Sequence, residues 1–335
     1  MKLLTQEIGS IRKPSWLLKT LRDPNSSNEI KEQARDDLAY INIRGFEDAG
    51  LDIVYDGEAR RAEMYEYPIS RIKGFEFCGK IRSWDNKYFR KARCINKIEY
   101  TGQYHSQEMK HVQEIVKADY KVPITGPYTL ADWSYNEKYD SREEFIFTIA
   151  KSVIRPLIKD MIEEGAKNIQ IDEPAATTHP SEMKLFTDAI NYSVEGLNAN
   201  FNIHICYSGN NYRELFPECL DLKINQFTLE FANMDTLSLG LDESSRKGYA
   251  PLKYFKEFGD KRQIGLGVID VHNDEIEDPK LVRDRIIYSN KILKGENEII
   301  VNPDCGLRTR TRETSFAKLR NMVQGTKLAT QILNR

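Results

Sequence analysis

Short apolar runs alternate with stretches of helical periodicity along most of the chain. Residues 3–9 form the first run, which ends in Ile8-Gly9-Ser10. Ile30, Ala34, Leu38, Ile41 and Phe46 then fall near helical spacing, and Gly50 follows, so the pattern predicts a helix over 29–49. Asp52-Ile53-Val54-Tyr55-Asp56-Gly57 reads as a buried strand with Glu58 just past its end. Strand, helix, glycine and strand in that order are the mark of a parallel βαβ unit. Further strands are predicted at 122–127, 168–174, 201–206, 224–230, 262–268 and 298–302. A long helix over 145–164, kinked near Pro156 and closed by Gly165, and a last helix over 313–333 lie among and after them. Eight β-segments alternating with helices predict an α/β chain with one (β/α)8 TIM-barrel domain over 1–335. An open, doubly wound sheet is the alternative. Residues 70–105 break the rhythm: they are aromatic, basic and strand-like, and read as an inserted hairpin.

Composition narrows the function classes. Forty-nine basic and 51 acidic residues leave a formal charge of -2, so no net field favours nucleic acid or a membrane surface. No stretch approaches the ~18 apolar residues of a spanning helix. The five cysteines form no CxxC pair, and the N-terminal segment is too short for export. The expectation is a cytoplasmic protein whose thiols are free or metal-bound.

The chemistry-bearing residues fall at predicted strand ends, where barrels of this kind place their active sites. His204 and Cys206 are two apart on one apolar run, so as strand residues they share a face. Zinc favours an imidazole and a thiolate presented in that way. Glu230 closes a later run and Cys305 follows another, which makes four candidate ligands for one zinc. Core packing is the competing reading of the His-x-Cys pair alone. Two thiolates and a carboxylate would leave zinc electron-rich, suited to holding a substrate thiolate and poor at generating hydroxide. Glu230, a hard carboxylate, is the ligand expected to yield to an incoming thiol. Asp172 and Glu173 precede Pro174 at a strand exit and suit an amine, an ion pair or a helix cap equally. Glu58 could form a surface salt bridge with Arg60 or Arg61 or serve a site. Asp270 and His272, two apart at another strand end, suggest an oriented histidine that donates a proton. Trp133 could stack on a planar heterocycle or simply pack. Cys78, Cys94 and Cys219 lack nearby His or Cys partners and read as bystanders. Ile8-Gly9-Ser10 could offer backbone N–H groups to a carboxylate.

Several runs together resemble the catalytic half of cobalamin-independent methionine synthase. They are Ile8-Gly9-Ser10, the run from Asp56-Gly57-Glu58 to Glu63-Met64-Tyr65-Glu66-Tyr67, Ile171-Asp172-Glu173-Pro174, Asp270-Val271-His272, and Asn302-Pro303-Asp304-Cys305-Gly306-Leu307. The resemblance covers about residues 4–330 and implies zinc-dependent methyl transfer to the sulfur of homocysteine. It implies zinc on His204, Cys206, Glu230 and Cys305, and homocysteine on Ile8, Gly9, Ser10, Glu58 and Asp172. In this reading Glu58 and Asp172 hold the amino group and backbone around Ser10 holds the carboxylate. It further implies His272 as proton donor, Trp133 as the pterin-stacking ring, and Arg93 and Cys94 as folate contacts. A glutamate that the family places six residues beyond Asp172 is Thr178 here. The chain also corresponds to one barrel where full-length bacterial and plant members have two. Both departures bear on the methyl donor, for which a methylcorrinoid, free or protein-bound, stands beside methyltetrahydrofolate. A separate partner barrel is a further possible partner. The competing functions are methyl transfer to another small thiol such as coenzyme M, and a non-catalytic zinc-binding barrel. Glu58 and Asp172 favour an acceptor that carries an amine, and His272 has no task in a structural zinc site.

Overall fold

The structure is a computed structural model that describes residues 2–82, 88–206, 209 and 211–334. Twelve strands appear in chain order: β1 Leu4–Thr5, β2 Ile53–Val54, β3 Lys73–Arg82, β4 Tyr88–Glu99, β5 Asp119–Tyr120, β6 Val122–Thr125, β7 Ser134–Asn136, β8 Asn168–Asp172, β9 Asn200–Ile205, β10 Gln226–Leu229, β11 Gln263–Gly267 and β12 Ile299–Asn302. Eight of them, all but β3, β4, β5 and β7, fall on the eight runs predicted from hydropathy.

Residue contacts divide the chain into two units. The first comprises Met1–Arg60, Glu108–Lys121 and Thr228–Arg335. In it β1 pairs in parallel with β12, and β12 with β11. A parallel bridge from Gln6 to Ile53 ties β2 beside β1, and β2 pairs in parallel with β5. Strands β11 and β12 are buried on both faces, as parallel strands covered by helices must be. The helix Asn28–Ala49 starts where the Ser27 side chain accepts the Ile30 N–H and stops at Gly50, whose φ of 90° only glycine adopts readily. The helix Arg312–Leu333 is capped in the same way by Thr311.

The second unit comprises Arg61–Gln107 and Val122–Phe227. In it β6 pairs in parallel with β8, and β8 with β9, Asp172 lying opposite His204. The predicted insertion is present as the antiparallel pair β3–β4, with β7 added in parallel to β4; positions 83–87 of it are outside the described residues. The helix expected over 145–164 is three pieces: Arg142–Ile149, a π-turn over Ala150–Ile154, and Arg155–Glu163. Pro156 has no N–H to give to the carbonyl four residues earlier, at Ser152, and the wider π pairing falls on that stretch.

The hydrogen-bonded sheet order is β1-β12-β11-β10-β9-β8-β6. The boundary between the units falls inside β10, and β5 and β6 are separated only by Lys121. The seven-strand order follows the chain from β6 to β12 and then to β1, as the strand order of a (β/α)8 barrel does.

Candidate functional site

In the first unit, the exit of β1 and the exit of β12 meet. Ile8, Gly9, Cys305 and Gly306 line one small cavity. A Cβ on Gly306 would come 2.8 Å from the Ser10 nitrogen and 3.1 Å from its hydroxyl, so only glycine permits this approach. Glu58 is buried and holds a positive φ of 58°, uncommon outside glycine. Its N–H donates to the Asp56 carboxylate at 2.8 Å, and the Lys13 ammonium donates to its carbonyl at 3.0 Å. Burial lowers the Lys13 ammonium to about 8, against the pull of the Glu58 carboxylate. The Glu58 carboxylate oxygen lies 3.4 Å from where a Gly9 Cβ would stand. Ile8, Gly9, Ser10, Glu58 and Cys305, far apart in sequence, are thus neighbours.

Glu230 follows β10 and is fully buried. The turn after it is held by Asp304, which the sequence reading passed over. Its carboxylate accepts the N–H groups of Phe231 and Ala232 at 3.0 Å and of Asn233 at 2.7 Å. Burial raises the Asp304 carboxyl to about 7, although those three donors favour its charged form. Asp304 therefore couples the backbone beside Cys305 to the backbone beside Glu230. Gly267 makes room for it: a Cβ there would stand 2.2 Å from the Asp304 carboxylate.

His272 lies in the loop after β11 and is half-buried. The Asp270 carboxylate accepts the backbone N–H of His272 at 2.8 Å, so the Asp-x-His spacing serves the turn itself.

In the second unit, His204 and Cys206 project from the exit of β9, both buried. Their donor atoms lie within 4.8 Å of one another. Two ligands on one tetrahedral zinc stand roughly 3.5 Å apart, so a small rotamer adjustment fits the pair to such an ion. Asp172, on the neighbouring strand, receives the Gln170 side-chain amide at 2.6 Å. Glu173 has a different task. It is fully buried and accepts the Tyr128 N–H at 3.0 Å, the Thr129 N–H at 2.7 Å and the Thr129 hydroxyl at 2.5 Å. It caps the helix Pro127–Asp132, and burial raises its carboxyl to about 8.

Arg93, Cys94 and Trp133 also come together in this unit. Arg93 and Cys94 lie on β4, paired with the strand that begins one residue after Trp133. Trp133 stacks on Phe89 at 5.3 Å between ring centres and tilts against Tyr65 at 6.0 Å. Arg93 pairs with Glu76 at 3.3 Å and Glu137 at 3.8 Å. Cys94 is buried, which pushes its thiol to about 11. Thr178 is exposed, and its hydroxyl donates to the Ala175 carbonyl at 2.7 Å.

Comparison with known proteins converges. The family described as "Cobalamin-independent synthase, Catalytic domain" matches residues 5–328. The chain is similar to a protein named methionine synthase from Thermoplasma volcanium, 45% identical over 96% of each chain. It is 40% identical to another of that name from Thermococcus kodakarensis, over 99% of this chain and 95% of that one. Among solved structures, a B12-independent methionine synthase from a Shewanella species, in complex with selenomethionine, has a TM-score of 0.85 at 22% identity. That match covers 100% of this chain and 99% of the other, and shows the TIM-barrel-like fold. No helix among the described residues is long and apolar enough to cross a membrane. With a family match over nearly its whole length, the chain belongs to the cobalamin-independent methionine synthases, and is a methyltransferase of that type.

Proposed function

We propose that the chain transfers a methyl group to the thiol of L-homocysteine, forming L-methionine, with one zinc ion per chain. The observation that carries this reading is the gathering of Ile8, Gly9, Glu58 and Cys305 in one unit. It sets a thiol beside a carboxylate and a glycine turn, as a thiol-bearing amino acid requires. His204, Cys206, Glu230 and Cys305 would hold that ion, with the carboxylate of Glu230 the weakest of the four donors for zinc. Zinc, when bound, supplies the Lewis acidity that keeps the acceptor sulfur ionised at neutral pH.

Glu58 and Asp172 take the substrate ammonium, and the backbone of Ile8, Gly9 and Ser10 takes its carboxylate. The substrate sulfur attacks the donor methyl carbon. The carbon–donor bond breaks and its electron pair leaves with the donor, whose leaving atom His272 protonates where the chemistry calls for it. Arg93, Cys94 and Trp133 form the donor side, for methyltetrahydrofolate or a methylcorrinoid. Glu58 and Asp172 favour homocysteine over a thiol without an amine, such as coenzyme M.

The test is Cys305→Ser. Its expected outcome is a soluble, folded protein that has lost most of its zinc and its homocysteine methylation. Zinc content equal to that of the parent would sink the ligand assignment.

A further inference from the structure

The backbone leading to His272 is held by buried charges. The Lys318 ammonium, on the helix Arg312–Leu333, is fully buried and donates to the Asp270 carbonyl at 2.9 Å. It also donates to the Glu277 carboxylate at 2.9 Å and to the Glu275 carbonyl. The other Glu277 oxygen accepts the Asp270 N–H at 2.8 Å. Asp270 is therefore gripped at both its backbone groups by one ion pair, and its own carboxylate grips the His272 N–H. Just upstream, buried Arg285 donates to the Val268 carbonyl at 2.9 Å, and the Asp304 N–H to the Ile269 carbonyl at 2.9 Å.

A buried ion pair costs desolvation that apolar side chains would avoid, so it is an expensive way to stabilise a core. Its gain is geometric: an ammonium and a carboxylate accept only narrow placements of the groups they bind. Here those groups lie two residues from His272. We infer that Lys318 and Glu277 are positioning residues that fix the loop over 268–272 and so aim the His272 imidazole. The inference rests on the reading of His272 as proton donor.

Lys318→Met alone takes the ammonium from Glu277 and can fail to fold, so the informative variant is Lys318→Met with Glu277→Met. It removes both charges and leaves Arg285, 3.9 Å from Glu277, its closer ion pair with Asp235 at 2.9 Å. It is measured as the zinc-loaded full chain, with homocysteine and whichever of methyltetrahydrofolate and methylcobalamin the parent turns over. The expected kcat is at least tenfold lower, with the KM for homocysteine within twofold of the parent. Amide hydrogen exchange across residues 270–276 should be faster, while exchange in β12 is unchanged. In a His272→Ala background, the same pair of substitutions should change kcat less than twofold. Parental kcat and parental exchange in the folded double variant overturn the inference. So does an equal further loss in the His272→Ala background, which would mean the pair acts elsewhere. Full activity of His272→Ala overturns the proton-donor reading instead, and hydrogen exchange then decides the clamp alone.

Discussion

Single residues carry the site through what their neighbours allow. Gly267 illustrates this: added Cβ atoms would meet the Asp304 carboxylate at 2.2 Å and the Leu229 carbonyl at 2.7 Å. Neither can give way without releasing the N–H groups of Phe231, Ala232 and Asn233. Gly267→Ala should therefore destabilise the chain by about 1–3 kcal/mol through overpacking and loosen zinc, read by thermal midpoint and by zinc retention against a chelator. A parental midpoint would mean that the strand shifts to make room. Asp172→Asn should weaken homocysteine binding by about 1.5–3 kcal/mol, the worth of a hydrogen bond to a charged group. Calorimetric titration of the acceptor checks it, and an unchanged affinity would leave Asp172 only its bond from Gln170. That His204 and Cys206 lie close together was legible because a two-residue period on an apolar run places both on one face. Asp304 was not, because an aspartate before a cysteine reads alike whether it meets water or three backbone donors. Lys318 left a fainter mark. It shares the buried stripe of Ser315, Leu319, Met322 and Thr326, where a lysine is out of place, but no pattern names its partner.

At the scale of elements, the hydropathy pattern found the eight barrel runs because most of these strands, β6 and β8 to β12, are buried on both faces. It overstated their lengths: residues 3–9 pair as a strand only over Leu4–Thr5, and Ile8-Gly9-Ser10 then run beside Cys305 and Gly306. The π-turn before Pro156 was legible only as a kink. Glu173 and Asp172, adjacent and alike in sequence, were separated by the cap that Glu173 provides to the helix Pro127–Asp132. Glutamine in its place turns an NH2 group toward the Thr129 N–H, where the carboxyl, protonated or not, presents an oxygen. Glu173→Gln should thus lower stability by about 1–3 kcal/mol. The wild-type carboxyl titrates near 8 when folded, above its ordinary value of 4.5. A raised carboxyl pKa means that the folded state holds the proton more tightly than the unfolded chain. Its contribution is then fully present below about pH 4.5 and is lost as pH rises through 8. Between those limits the stability gap between wild type and Glu173→Gln should narrow as pH rises. Urea denaturation at pH 5.5 and 8.5 measures it, and a gap that widens would show that the N–H donors keep Glu173 charged.

For the whole molecule, the order of strands and the family resemblance were both legible, because they depend on the sequence of motifs along the chain. The choice of methyl donor is less so, since it depends on surfaces that several loops build together. Three features of the second unit bear on it. Trp133 offers a planar group one ring face at most, the other being stacked by Phe89 at 5.3 Å. Arg93 is already paired with Glu76 and Glu137. Thr178, which the resemblance sets in place of a pterin-contacting glutamate, has its hydroxyl turned to the Ala175 carbonyl. A stacking contact is worth about 0.5–1.5 kcal/mol, whereas a charge-assisted hydrogen bond adds about 1.5–3 kcal/mol, so losing the carboxylate outweighs keeping the ring. Folate should accordingly bind weakly, and turnover at equal donor concentration and saturating homocysteine should be faster with methylcobalamin than with methyltetrahydrofolate. Thr178→Glu should then raise the affinity for methyltetrahydrofolate and leave methylcobalamin turnover unchanged. Tight, tail-length-dependent use of methyltetrahydrofolate polyglutamates by the unaltered chain would overturn this argument, and would require a carboxylate elsewhere on the donor side to replace the one that Thr178 lacks.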